Sequence, residues 1–265
     1  MKEENPTASD SSISTLTYHV TALQITIYFN KEGDHDHNGL IFALTENVPI
    51  LKYIRALARV GLPQRAGDHG GHDDTPEEWY KQAKERAQKI GVSLPSNPQE
   101  ARQPHPLVRP LVLRARKCDR LQVDLHNEVR ARHVGLHLVG DGYDVKTDDG
   151  SHVGENDSSL TPPDGRRIYT WICNHEGVFP FHDGGNYSGG EDGTNVHGLF
   201  GALVVEPTGS IWRDPVTGRR SEDERGAFQE LDGLYLDILP PGRAQTESIR
   251  ESHTTLDNHP WPKPC

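Results

Sequence analysis

Residues 168–207 read IYTWICNHEGVFPFHDGGNYSGGEDGTNVHGLFGALVVEP, and this stretch decides how the whole chain is read. Two strand-like runs lead to His175 and His182, a Gly-rich loop carries the chain to His197, and a continuous apolar run from Leu199 to Val205 closes it. Working outward, Leu111 to Asn127 (LVLRARKCDRLQVDLHN) and His133 to Val145 (HVGLHLVGDGYDV) alternate apolar and polar residues, as does Tyr18 to Asn30 (YHVTALQITIYFN). Alternation with period two marks strands that bury one face. Such strands must cover that face against another layer, so the expected fold is mainly β, a Greek-key β-sandwich of two sheets.

The motifs of Leu107 to Pro207 resemble the first cupredoxin domain of a multicopper oxidase, in particular the large bacterial manganese-oxidase-like type. The resemblance rests on Gly142-Tyr143-Asp144-Val145, the turn Pro163-Asp164-Gly165, Tyr169-Thr170-Trp171, Glu176-Gly177 and the run from His197 to Val205. It implies a cupredoxin-like sandwich, copper as cofactor and oxidoreductase descent. In that family a strand with His-x-His-Gly gives one type 2 and one type 3 copper ligand, and a later His-x-His gives two type 3 ligands. Here His137-Leu138-Val139-Gly140 keeps the first imidazole and has Val139 at the second, while His182-Asp183-Gly184 keeps one and ends in Gly184. Two of four ligands do not hold a trinuclear cluster in the family manner.

A blue-copper centre is excluded on residue type as well. It takes a thiolate and two imidazoles, usually with a weak axial Met, and no Cys lies between His182 and His197 while the single methionine is Met1. The expected metal residues are therefore His137, His182, His197 and Asp183, with Asp192 as a further carboxylate able to complete or orient the site. The bland alternative for each histidine is a hydrogen-bonded structural residue. His126, His133 and His175 rank below the four.

Two other histidine clusters compete. Asp34-His35-Asp36-His37-Asn38-Gly39 begins like a calcium loop, but Thr45 stands at position twelve where a bidentate Glu belongs, so a polar hairpin turn is favoured. His69 and His72 lie in a Gly- and Asp-rich loop whose usual role is solvation.

The chain has 265 residues, 19 Pro, 26 Gly and a formal net charge of −11 at pH 7. That length supports one ordinary core with long excursions. The acidic balance speaks against nucleic acid as a partner, since a basic footprint is needed to release phosphate counterions. No apolar run approaches the twenty residues of a membrane span. Met1 to Asn5 and the Ser-rich residues after it show neither a basic n-region nor an apolar h-region, which makes cytoplasmic the default expectation. Three cysteines, Cys118, Cys173 and Cys265, form no CxxC site, and the first two are expected as buried free thiols.

Residues 46–106 differ in character from the strands around them. Asn47 to Val60 has helical spacing, and Thr75-Pro76-Glu77-Glu78 opens a second helix that stops at Gly91. Ser93 to Pro106 reads as a loop broken by four prolines. The expected organisation is a flexible N-terminus over 1–15, a cupredoxin-like domain over 16–210 with a helical insertion over 46–106 covering one end of the sandwich, and an irregular tail over 211–265, with one extra strand near Leu231 to Leu239. Two functions follow from the residues. One is a copper-binding domain of oxidase type that acts with further cupredoxin domains or as a homo-oligomer. The other is a non-catalytic metal-binding or structural module, or a fragment of a larger oxidase. No GxSxG, P-loop, GxGxxG or HExxH motif supports a hydrolase or nucleotide-binding reading.

Overall fold

The computed structural model describes residues 15–62, 75–186, 190–208, 210–213 and 237–239. In chain order the strands are β1 Thr15–Gln24, β2 Ile27–Tyr28, β3 His35–Asp36, β4 Leu40–Leu44, β5 Leu111–Arg116, β6 Arg120–Asn127, β7 His137–Leu138, β8 Arg166–Ile172, β9 Gly177–His182, β10 Phe200–Glu206, β11 Ile211–Arg213 and β12 Asp237–Leu239. The α-helices are α1 Val48–Arg59, α2 Pro76–Ile90 and α3 Pro98–Ala101. No helix among the described residues is long and apolar enough to cross a membrane.

Two four-stranded sheets form the body, ordered β4-β1-β6-β8 and β5-β10-β9-β7. Within them β1 runs parallel to β6 and β5 parallel to β10, while the other neighbours are antiparallel. The chain crosses to the other sheet at each step from β4 through β9, which is how a Greek-key sandwich places sequence neighbours in opposite layers. Alternation decides the faces as the sequence implies. Tyr18, Val20, Leu121, Val123, Tyr169 and Trp171 of the first sheet meet Leu111, Leu113, Phe181 and Leu203 of the second in one core.

Tyr169 shows what this core demands of a polar group. Its hydroxyl donates to the Ser159 carbonyl at 2.7 Å and lies 3.2 Å from Thr161 Oγ1. Burial, the largest influence, pushes its pKa up to about 12 from 10. The folded chain therefore keeps the phenolic proton at a pH where the unfolded chain has lost it, and stability falls as pH rises from 10 through about 12. A loss on the order of 2 to 3 kcal/mol is expected over that window. Chemical denaturation at stepped alkaline pH measures it, and Tyr169→Phe should flatten that part of the profile.

The helices cover the outer face of the first sheet at its β4 edge, which corrects the expectation of a cover on one end. Leu51 of α1 packs with Leu23 of β1, Ile41 and Ala43 of β4, and Ile25 just past the end of β1, a cluster separate from the sandwich core. Ala83 and Ala87 of α2 then pack on Ile50, Tyr53, Ile54 and Leu57 of α1. Gly91 ends α2 in the left-handed conformation at φ 70°. Thr75 makes no side-chain cap, so proline at the first helical position and the two glutamates carry that start signal. Within the stretch read as loop, Pro98–Ala101 forms a short helix because Asn97 accepts the Glu100 N–H.

Three further corrections concern the strands and cysteines. His133 to Val145 is not one strand but the two-residue β7 plus an isolated bridge between Val134 and Thr161, since Gly142 turns the backbone away at φ 87°. Asp34 to Gly39 does form the polar hairpin, β2 pairing with β3. Cys173 is buried and outside any disulfide, whereas Cys118 is half-buried and disulfide-bonded, so the expectation of two unbridged thiols holds for one. β12 pairs with β11, while residues 1–14, 231–236 and 240–265 lie outside the described residues.

Candidate metal centre

His137 and His182 face each other directly across the β7–β9 pair. Phe181 points inward to the core, so its neighbour His182 points to the outer face of the second sheet, and the register brings His137 to the same face. The ring centroids are 5.1 Å apart with the planes at 55°. Both rings are partly exposed.

Each ring has its Nδ1 engaged. His137 Nδ1 lies 2.8 Å from the Asp149 carbonyl and 3.3 Å from Asp149 Oδ1. Both neighbours only accept, so Nδ1 carries the proton and Nε2 keeps its lone pair. Asp149 is itself held by Ser151 Oγ and by the Tyr143 hydroxyl at 3.4 Å, and the Tyr143 ring stands edge-on to His137. Burial, then the Asp149 charge, pushes the Tyr143 phenol above its ordinary pKa. His182 Nδ1 sits 3.2 Å from the Asp183 carbonyl and 3.3 Å from Asn195 Nδ2. The carbonyl only accepts and the Asn195 amide nitrogen only donates, so either neutral tautomer has a partner at Nδ1, and metal binding through Nε2 selects the one that donates to the carbonyl. Two adjacent, partly exposed imidazoles are donors of a kind that suits copper, zinc or nickel.

Asp183 has a different place. Its side chain is fully buried. Oδ1 accepts the N–H of Gly135 and of Gly185, each at 2.8 Å, and Oδ2 accepts the Thr194 hydroxyl at 2.5 Å. Burial raises its pKa, opposed by the Thr194 and glycine hydrogen bonds. The carboxylate thus ties the segment before β7, the turn after β9 and the loop before β10 into one unit. The expectation of Asp183 as a ligand gives way to this bracing role, because its oxygens are spent on protein donors. Glycine permits the close approach of these backbones: a Cβ on Gly135 would sit 1.8 Å from the Gly150 carbonyl oxygen, and one on Gly184 2.1 Å from the same atom.

His197 is engaged elsewhere. Its Nδ1 lies 2.6 Å from Asp36 Oδ2 and its carbonyl accepts the Leu40 N–H at 2.8 Å, which fastens the loop before β10 to the β2–β3 hairpin. Of the four residues read from sequence, the fold brings two together, turns one into a brace and ties one to a hairpin acid. Asp192 is exposed and contributes its carbonyl to Arg132 at 3.0 Å. His133 is exposed, His175 pairs with Asp141 at 3.2 Å, and His126 lies 3.7 Å from Glu128. His69 and His72 lie outside the described residues. Among the described residues no group of three or more His, Cys, Asp or Glu side chains is placed to hold a metal ion. The donors fit copper in kind and supply two ligands in number.

Sequence reading missed Asp149, Tyr143 and Asn195. Asp149 is hidden in the polar run Thr147-Asp148-Asp149-Gly150, where only the glycine signals anything: its φ is 71° and a Cβ would meet the Leu136 carbonyl at 2.2 Å.

No family model matches the chain, and no curated protein matches it. Among solved structures it is similar to a multicopper oxidase from Pseudomonas thermotolerans at 16% identity and a TM-score of 0.39, over 74% of this chain and 30% of that one. A copper nitrite reductase from Nitrosomonas europaea matches at 14% identity and 0.38, over 74% of this chain and 43% of that one. A multicopper oxidase from Campylobacter jejuni, described as a metallo-oxidase, matches at 12% and 0.38, over 80% of this chain and 29% of that one. The chain spans less than half the length of these structures. The chain is a two-sheet Greek-key β-sandwich with a helical insertion.

Proposed function

We propose that this chain is a copper-binding domain of multicopper-oxidase type, with His137 and His182 as its two imidazole ligands and further donors supplied from outside the chain. The observation that carries the reading is the direct register of the two histidines on an outer sheet face, each with its Nδ1 engaged by the protein. A copper held there supplies one-electron chemistry. The chain's own residues orient the donors: Asp149 fixes the His137 tautomer, Asn195 and the Asp183 carbonyl orient His182, and Asp183 braces the loops between them. The motif frame from Gly142 to Val205 supports the manganese-oxidase-like type, and in this reading residues 16–210 form the domain, 46–106 its insertion, with flanks on either side.

A second reading, a non-catalytic metal-binding or structural module, is favoured by Val139 and Gly184 at the places where the family has imidazoles. Copper content after anaerobic loading and desalting, with dioxygen uptake on a phenol, separates them. Loss of all copper retention in His137→Ala and His182→Ala with no uptake by the wild type supports a binding role alone. Uptake that depends on both histidines supports an oxidase assembly. Retention unchanged in both variants contradicts the site.

Asp149→Ala should weaken copper binding about tenfold, at the low end of the 10- to 100-fold range for partners of ligating histidines, because the Asp149 carbonyl still accepts from His137. A competition titration with a chromophoric chelator measures it.

A further inference from the structure

Trp171 carries a donor that the core leaves unpaired. The residue is 0% exposed, and among the described residues its Nε1–H makes no hydrogen bond. Its ring lines a small cavity on the inner side of the second sheet, where Leu138 of β7, Phe179 of β9 and Val205 of β10 form apolar walls. Asp141, Asn174 and His175 also line it. Asp141 Oδ2 and His175 Nε2 lie 3.2 Å apart with both side chains open to solvent, so these polar groups mark the outer end of the cavity. Its volume is about 10 Å³, on the scale of one water and too small for a larger ligand.

We infer that this cavity is a binding site for a single internal water, which accepts from Trp171 Nε1 and donates on its polar side toward Asn174 and the Asp141–His175 pair. Two observations carry it together. A buried donor without an acceptor bears its full desolvation cost, and cavities that stay dry are lined by apolar groups alone, which this one is not. The water gives the indole a partner without placing a second polar side chain in the core. The site is separate from the histidine pair, because Leu138 and Phe179 point inward to the core while His137 and His182 point to the outer face.

Paired nuclear Overhauser spectra of the ¹⁵N-labelled full chain, recorded in the laboratory and rotating frames, test the inference. The Trp171 indole resonance is identified by its contact with the Phe181 ring. The expected result is a cross-peak from the indole proton to water with opposite signs in the two frames, which marks a bound water in contact. Val205→Ile adds one methylene to the cavity wall and should remove that cross-peak while the rest of the spectrum stays native. No cross-peak in the wild type overturns the site. A cross-peak of the same sign in both frames also overturns it, because it reports hydrogen exchange by an indole that opens to solvent, and so does a contact that survives Val205→Ile unchanged.

Discussion

Replacing His182 by Ala should reduce copper affinity by more than about 100-fold, beyond the 10- to 100-fold range known for losing a ligand's supporting partner. The chain should remain folded, because the ring points to the outer face and its hydrogen bonds are made at the edge of the second sheet. His137→Ala should behave alike, since the two rings face each other at 5.1 Å and neither holds a metal alone. His197→Ala should leave copper affinity within about threefold of wild type, because its Nδ1 serves Asp36, and single-site effects this remote from the donors are small. Isothermal titration with Cu(II) under a competing chelator reads all three. A His197→Ala loss as large as that of His182→Ala would restore the four-residue set read from sequence and overturn the division of roles described above.

The largest stability effect is expected at Gly135. An added Cβ meets the Gly150 carbonyl oxygen, a backbone atom that cannot swing aside, and the side chain of Leu160 behind it. Gly135 also gives its N–H to buried Asp183, so displacing it breaks the hydrogen bond that anchors the brace. Gly135→Ala should cost about 3 kcal/mol or more, the upper part of the range for overpacking. For a chain of this size that lowers Tm by roughly 6 to 12 °C. Gly154→Ala, at a positive φ of 62° with open space around it, provides the contrast: it bears backbone strain without a clash, whereas Gly135 bears the clash without a positive φ, and it should lose no more than about 2 kcal/mol. Thermal melts of the two variants side by side check the assignment, and a Gly135→Ala loss no larger than that of Gly154→Ala would mean that the loops give way and their packing does not set the requirement.

Much of the sandwich was legible because alternation carries the physics directly. In β5 and β6 every second residue is buried, as the period of Leu111 to Asn127 implies. β7 was over-read for a reason of the same kind: Gly135, Gly140 and Gly142 fit an alternating pattern in composition, yet glycine marks backbone approach and turning there, and the strand shrinks to two residues. α3 was hidden by the prolines that bracket it, although Asn97-Pro98 is itself a start signal. The pairing of two candidate ligands across β7 and β9 was legible. A histidine on a strand announces its face through the register of its neighbours, so His137 and His182 could be paired from sequence motifs. A carboxylate announces nothing: Asp183 as a ligand and Asp183 as a buried acceptor of three donors are the same letters, and only the fold shows which N–H groups converge on it. Asp149 was missed for the converse reason, since its role arises from a loop folding back twelve residues to meet His137. Cysteine spacing likewise could not distinguish the unbridged thiol of Cys173 from the disulfide sulfur of Cys118.

The central claim is that His137 and His182 together ligate copper on the outer face of the second sheet, and pulsed electron paramagnetic resonance on the Cu(II)-loaded full chain tests it most directly. The account predicts modulation from the remote nitrogens of coordinated imidazoles, diminished or lost in both His137→Ala and His182→Ala and retained in His197→Ala. A spectrum without imidazole modulation, or one that survives both substitutions unchanged, would contradict it.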